Sequence, residues 1–160
     1  MQDAVQYEGC ENMTIYIGSD HAGFELKKHL IEVLQQQDGQ KIEDFGTYGL
    51  ESVDYPDFAQ QVAQAVLKDA HGMGLVICGT GIGVSIAANR FKGIRCAPCH
   101  DVATAKLARQ HNNANILALG ARMLTPEQSV AIVETFFATD YEGGRHENRL
   151  IKIDKFGTDR

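Results

Sequence analysis

The sequence predicts an α/β fold, a three-layer αβα arrangement around a five-stranded parallel sheet. Three observations lead there. Short apolar runs alternate with stretches of near-3.6 hydrophobic periodicity along most of the chain. One run, MGLVIC at 73–78, is apolar without interruption, as in a central parallel strand covered on both faces. The 160 residues, 44% hydrophobic and 22% charged, are enough to bury one continuous core and too few for two full domains.

The elements follow in order. Residues 1–12 are acidic and aperiodic, and Met13 directly precedes the first strand-like run, so 1–12 are expected to form a disordered extension and 13–160 a single domain. TIYIG (14–18) reads as a strand. Phe24, Leu26, Leu30, Ile31 and Leu34 mark a helix over roughly 23–37. KIEDFG (41–46) is a second strand, and Pro56 opens a helix through Phe58, Val62, Ala65 and Val66, with Asp54 as its expected cap. After the strand at 73–78 come a glycine loop, a helix to about Arg90, a strand IRCA (94–97), a helix over 101–110 and a strand NILALG (115–120). Thr125 and Pro126 stand in cap and first-turn order for a helix to about Phe137, and a final helix follows Arg145. Strands alternating with helices in this way make a Rossmann-like sheet, whose ligands bind at the carboxyl ends of the strands.

Charge narrows the ligand. The chain carries 15 Lys and Arg against 21 Asp and Glu, a net charge of -6, which argues against nucleic acid and anionic membranes as partners. The distribution is uneven: residues 1–70 hold 4 basic and 13 acidic groups, 71–140 hold 6 and 4, and 141–160 hold 5 and 4. Anion chemistry is therefore expected in the second half. The longest uncharged run, Gly72 to Asn89, is too interrupted by glycine to be a membrane span, and the first twelve residues lack the basic and apolar regions of an export signal. A cytoplasmic location is expected, with Cys10, Cys78, Cys96 and Cys99 reduced.

The segment CGTGIGVS (78–85) joins the central strand to a helix. Glycines at 79, 81 and 83 allow backbone N–H groups to converge on an anion, reinforced by the helix N-terminus, though a tight strand-to-helix turn also needs glycine. It is no dinucleotide fingerprint, since Val84 stands where the third glycine would fall, and it lacks the P-loop lysine. Cys78 sits at the strand's last position, where the loop's amide dipoles favour a thiolate able to act as base or nucleophile; otherwise it is a small buried apolar residue. Thr80 can add a hydroxyl. Asp20 and His21 follow the first strand on the same rim, either as site groups or as a helix cap and a first-turn residue. His111, followed by Asn112, is either a general acid/base or part of a C-terminal cap. Arg145 and Arg149 lie one helical turn apart after Gly143 and Gly144, and Arg122 follows the last strand; arginine forks suit phosphate, while a solvated basic face is the plainer alternative. Cys96-Ala97-Pro98-Cys99 has the spacing of a thiol–disulfide site, and with His100 it offers only three adjacent zinc ligands with no evident fourth.

Taken together, GSDHAGFELK (18–27), DYPDFA (54–59), ICGTGIGVSIAANR (77–90), RQHNNANILALGAR (109–122) and YEGGRHENR (141–149) resemble the ribose-5-phosphate isomerase B family, which includes allose- and galactose-6-phosphate isomerases. The resemblance runs from about Met13 to Lys155. It implies an aldose–ketose isomerase of the pentose phosphate pathway, interconverting D-ribose 5-phosphate and D-ribulose 5-phosphate through an enediolate without metal or organic cofactor. By the same resemblance Cys78 is the base, with Thr80 beside it, and the amides of Gly79, Gly81 and Gly83 form the anion hole. His111, assisted by Asp20, opens the sugar ring. His21, Arg122, Arg145 and Arg149 hold the phosphate, and Asn112 and Tyr55 touch the sugar. The family places its active site between subunits, implying a homodimer or homotetramer. One branch replaces the cysteine with a glutamate a few residues later; no acidic residue occurs from 70 to 100, which assigns this chain to the cysteine branch. Outside that reading stand a non-catalytic sugar-phosphate binder and a CxxC thiol oxidoreductase.

Overall fold

A computed structural model describes residues 13–37 and 40–156; the extension expected at 1–12 lies outside the described residues. The strands are β1 (Thr14–Ser19), β2 (Lys41–Asp44), β3 (Met73–Cys78), β4 (Cys96–Pro98) and β5 (Ile116–Gly120). All pair in parallel, in the order β2-β1-β3-β5-β4. The helices are α1 (Phe24–Gln35), α2 (Tyr55–Lys68), α3 (Ile82–Ala88), α4 (Val102–Asn112), α5 (Pro126–Ala138) and α6 (Glu147–Asp154), with a 3-10 turn at Gly144–His146 leading into α6.

Three layers arise because β3 and β5 are apolar on both faces. Leu75, Ile77, Leu117 and Leu119 pack with Leu26, Leu30 and Leu34 of α1, Ala105 and Ala108 of α4, and Ile132, Val133 and Phe136 of α5. Val76, Cys78, Ile116 and Ala118 point the other way, onto Ala59, Val62, Ala63 and Val66 of α2 and Val84 and Ala88 of α3. The alternation of side chains along a strand sends successive residues of one apolar run into two separate cores.

Several boundaries differ from the sequence expectation. The fourth strand covers 96–98 rather than 94–97, because Arg95 turns its backbone N–H to the Asn115 side chain (2.8 Å). The fourth helix continues two residues past Gln110 and is ended by Asn113 in the left-handed region (φ 43°), so His111 belongs to its last turn and is not a cap. Asp54 occupies the N-cap position of α2 but its side chain makes no capping bond. Thr125 caps α5 as expected: its hydroxyl accepts the Gln128 N–H (3.2 Å), and its own N–H donates to the Gln128 side-chain carbonyl (2.9 Å), which makes a reciprocal box.

Candidate active site

The sheet order fixes where a ligand can sit. The chain leaves β1 toward β2 on one side, whereas β3 lies on the other, so the crevice at the carboxyl ends of β1 and β3 is the topological switch point. Asp20 follows β1 there, and Cys78 ends β3. The Asp20 N–H donates to the Ile77 carbonyl (3.2 Å), which ties the two strand ends together.

Cys78 is buried, and its sulfur accepts the Gly81 N–H at 3.2 Å. A backbone donor aimed at sulfur compensates negative charge there, as a base or nucleophile requires. Gly81 reaches this position because its φ of 78° is open to glycine and because a Cβ would meet the Leu119 carbonyl carbon at 2.9 Å. The loop is also held from β5: the Ala121 N–H donates to the Cys78 carbonyl (2.9 Å) and the Arg122 N–H to the Gly79 carbonyl (3.0 Å). The Arg122 guanidinium consequently covers Gly79, with Nη1 3.1 Å from where a Cβ would stand. Tyr55, the first residue of α2, lays its ring across Gly83, 2.6 Å from the position a Cβ would take. The Thr80 hydroxyl accepts the Ile82 N–H (3.3 Å) at the exposed lip of the loop.

Asp20 is buried, and its Oδ1 accepts the N–H groups of Ala22 (3.0 Å) and Gly23 (3.1 Å). It therefore caps the turn before α1, while Gly23 is the helix N-cap. These bonds engage one carboxylate oxygen. His21 accepts the Val53 N–H on Nδ1 (3.2 Å), drawing the 45–54 connection over the same rim. That connection is anchored by a group the sequence reading missed: Lys27, 1% exposed, bonds to Asp44 and lies 5.0 Å from the Tyr48 ring centroid. Its only sequence signal is a lysine on the apolar face of α1.

His111, Asn112, Arg145 and Arg149 are elsewhere. A helix following a parallel strand runs back along the sheet, so the last turn of α4 lies at the amino ends of the strands. Consistent with this, the Asn115 carbonyl just beyond α4 accepts the N–H of Gly74 near the start of β3 (2.9 Å), whereas Cys78 at the far end of β3 pairs with Gly120. One length of β5, roughly 15 Å at about 3.3 Å per residue, separates the two groups of residues. The 141–149 segment joins this second group. The Glu142 N–H donates to the Gln110 carbonyl (3.1 Å), and the His146 ring stacks on His111 with centroids 4.3 Å apart. Arg149 Nη1 donates to the Arg145 carbonyl (2.9 Å), and both arginines are exposed. The expected site residues therefore fall into two clusters at opposite edges of the sheet. A groove of about 820 Å³ borders the second, touching Asn112 along with Arg90, Lys92 and Arg95.

The CxxC pair is built unlike a redox centre. Cys96 and Cys99 are both buried, and burial is the main cause that raises each thiol, Cys99 to about 11 and Cys96 further. Reactive cysteines of that kind need the opposite shift.

An all-parallel Rossmann-like sheet with a thiol facing a glycine loop at its switch point is the class of small α/β protein that the comparisons then narrow. The family model for ribose/galactose isomerases matches residues 15–153. A relative from Mycoplasma pneumoniae, described as a probable ribose-5-phosphate isomerase B, is 48% identical over 143 residues, which cover 89% of this chain and 93% of that one. The solved ribose 5-phosphate isomerase of Thermotoga maritima superposes with a TM-score of 0.85 at 52% identity, over 88% of this chain and 97% of that one. The ribose-5-phosphate isomerase B of Mycoplasma genitalium, solved with bound ribulose-5-phosphate, gives a TM-score of 0.89 at 41% identity, over 93% and 99%. The chain belongs to the ribose/galactose isomerase family.

Proposed function

We propose that this protein interconverts D-ribose 5-phosphate and D-ribulose 5-phosphate, with Cys78 as the base. The observation that carries the reading is the buried Cys78 thiol at the end of β3, with the Gly81 N–H aimed at its sulfur. On the open-chain aldose, the Cys78 thiolate takes the proton from C2, the electron pair moves toward the C1 oxygen, and an enediolate forms. The O2 hydroxyl proton passes to O1, and return of the carbon proton from Cys78 to C1 yields the ketose. The amides of Gly79, Gly81 and Gly83 act on a charge that exists only along the reaction path, which is where stabilisation accelerates the step. Thr80 stands beside the base. His111, helped by Asp20, opens the furanose ring. His21, Arg122, Arg145 and Arg149 hold the phosphate, and Tyr55 and Asn112 contact the hydroxyl-bearing carbons.

The two clusters make a second copy part of the reading. In a homodimer, or a homotetramer built from it, His111, Asn112, Arg145 and Arg149 of one protomer face Cys78 and Asp20 of its partner. Exposed Ile82 and Ile86, which follow Cys78 in the chain, and Met123, next to the Arg122 whose N–H donates to the Gly79 carbonyl, supply apolar surface for such an association. We place the enzyme in the cytoplasm, where its thiols stay reduced. None of the helices among the described residues is long and apolar enough to cross a membrane.

The test is isomerisation of ribose 5-phosphate by the purified protein beside Cys78→Ala. A positioned base contributes roughly 10²–10⁴-fold, so the variant is expected to lose about that much kcat. Wild-type turnover in the variant would remove Cys78 from the mechanism. Comparing kcat/KM for ribose 5-phosphate with allose 6-phosphate and galactose 6-phosphate tests the substrate assignment separately.

A further inference from the structure

The stacked histidines have a third neighbour. The His146 Nε2 lies 3.5 Å from Glu142 Oε2, and the ligating atoms of His111, Glu142 and His146 all fall within 4.8 Å of one another. Among the described residues, this is the group of three such side chains that could hold a metal ion. We infer that His111, His146 and Glu142 bind a borderline divalent cation of the Zn²⁺ type, and that the ion withholds the His111 imidazole from the sugar.

The donor set is two imidazoles and one carboxylate, the combination that suits zinc with a position left open, and imidazole discriminates against Mg²⁺ and Ca²⁺. The backbone has already gathered it. Glu142 is tied to α4 through the Gln110 carbonyl one residue before His111, and the His146 N–H donates to the Gly143 carbonyl (3.3 Å), which closes the turn carrying the second ring. His146 is buried, so its ring is fixed and forms the rigid side of the site. The two rings are nearly parallel, at 18°, and their in-plane lone pairs converge only if one ring turns about its Cβ–Cγ bond. His111 can do so: it is half-buried, and no hydrogen bond to another described residue holds its ring. Arg145 lies between Glu142 and His146 in the chain and its charge opposes the cation, which makes this a reversible site rather than a structural one. Binding takes both imidazoles in their neutral form.

Binding does not depend on the proposed isomerase activity; inhibition rests on it. The experiment uses the full chain with ZnCl₂, and MgCl₂ as the hard-cation control, read by calorimetry. Glu142→Gln is the decisive variant because Glu142 is exposed and its loss does not disturb the core; His146→Gln is the second. Zinc is expected to bind once per chain, and each variant to weaken it tenfold or more. Cobalt(II) in the same place is expected to show tetrahedral visible bands without a thiolate charge-transfer band. Equal zinc affinity in wild type and Glu142→Gln, or a thiolate band, overturns the site, because Cys78 or the Cys96–His100 segment then holds the ion. Activity is followed in parallel. Zinc is expected to inhibit wild type and to need tenfold more to inhibit Glu142→Gln; binding without inhibition overturns the claim on His111. Absence of turnover by metal-free wild type would instead sink the isomerase reading and leave the calorimetry standing.

Discussion

At Gly83 the fold and the site are decided by the same atom. The Tyr55 ring occupies the space a Cβ would need, 2.6 Å from Tyr55 Cζ, although the backbone there is ordinary helix. Gly83→Ala must therefore displace the ring rather than strain the main chain. Because Tyr55 is 39% exposed, it can swing outward, so the cost falls on the site. The expected result is a thermal midpoint within a few degrees of wild type and a fall of at least tenfold in kcat/KM, with Tyr55→Ala giving a similar loss. If Gly83→Ala unfolds the protein while keeping its specific activity, the ring is core rather than site. Cys78 and Asp20 were legible for a different reason: each stands at the end of an apolar run, and the end of a parallel strand is where chemistry collects. Lys27 was not legible, since its burial depends on Asp44 and Tyr48, and nothing local says that residues 17 and 21 positions downstream will close over it.

The elements show where sequence periodicity suffices and where it does not. Helices whose apolar stripe faces one core, such as α1 and α2, emerge from spacing alone, and α5 is marked by its box at both ends of the first turn. The limits of β4 are not, because a three-residue edge strand has no period and its start is set by Asn89 and Asn115 side chains bonding Cys96 and Arg95. The capping boxes carry separate predictions. Thr125→Ala leaves the Gln128 N–H of α5 without its side-chain acceptor and is expected to cost about 1 kcal/mol in urea unfolding, while Thr125→Ser costs only a few tenths. At α4 the cap is a carboxylate. Asp101 is held below the usual carboxylate value chiefly by the Thr104 N–H. A group depressed in the folded state adds stability above its unfolded value, about 3.9, and that contribution disappears as pH falls through the lower folded value. Asp69 is depressed in the same direction, chiefly by the His71 N–H. Asp101→Asn is thus expected to be less stable than wild type at pH 6 and to converge toward it below pH 4; a constant difference across that range would show that the charge is irrelevant to the cap.

The molecule as a whole separates what its sequence lists together. Five motifs in order give no hint that 18–27, 54–59 and 77–90 meet at one edge of the sheet, that 141–149 lies at the other, and that 109–122 runs between the two; that follows only when each helix is seen to reverse the direction of its strand. If the halves meet across two chains, a chain lacking Cys78 and a chain lacking His111 should complement. In a symmetric dimer each site takes Cys78 from one protomer and His111 from the other. Cys78→Ala and His111→Ala are each dead in both sites alone. Paired, they concentrate both lesions in one site and leave the other intact. Unfolding equal amounts together and refolding them gives, for random pairing, mixed dimers as half the population, with one good site in two, so about a quarter of wild-type activity returns. The wild-type KM should return with it, since the surviving site contains no substitution. Two inactive variants that remain inactive after refolding together, while refolded wild type recovers, would mean that Cys78 and His111 serve the same site from the same chain, or serve different reactions, and the shared site would have to be abandoned.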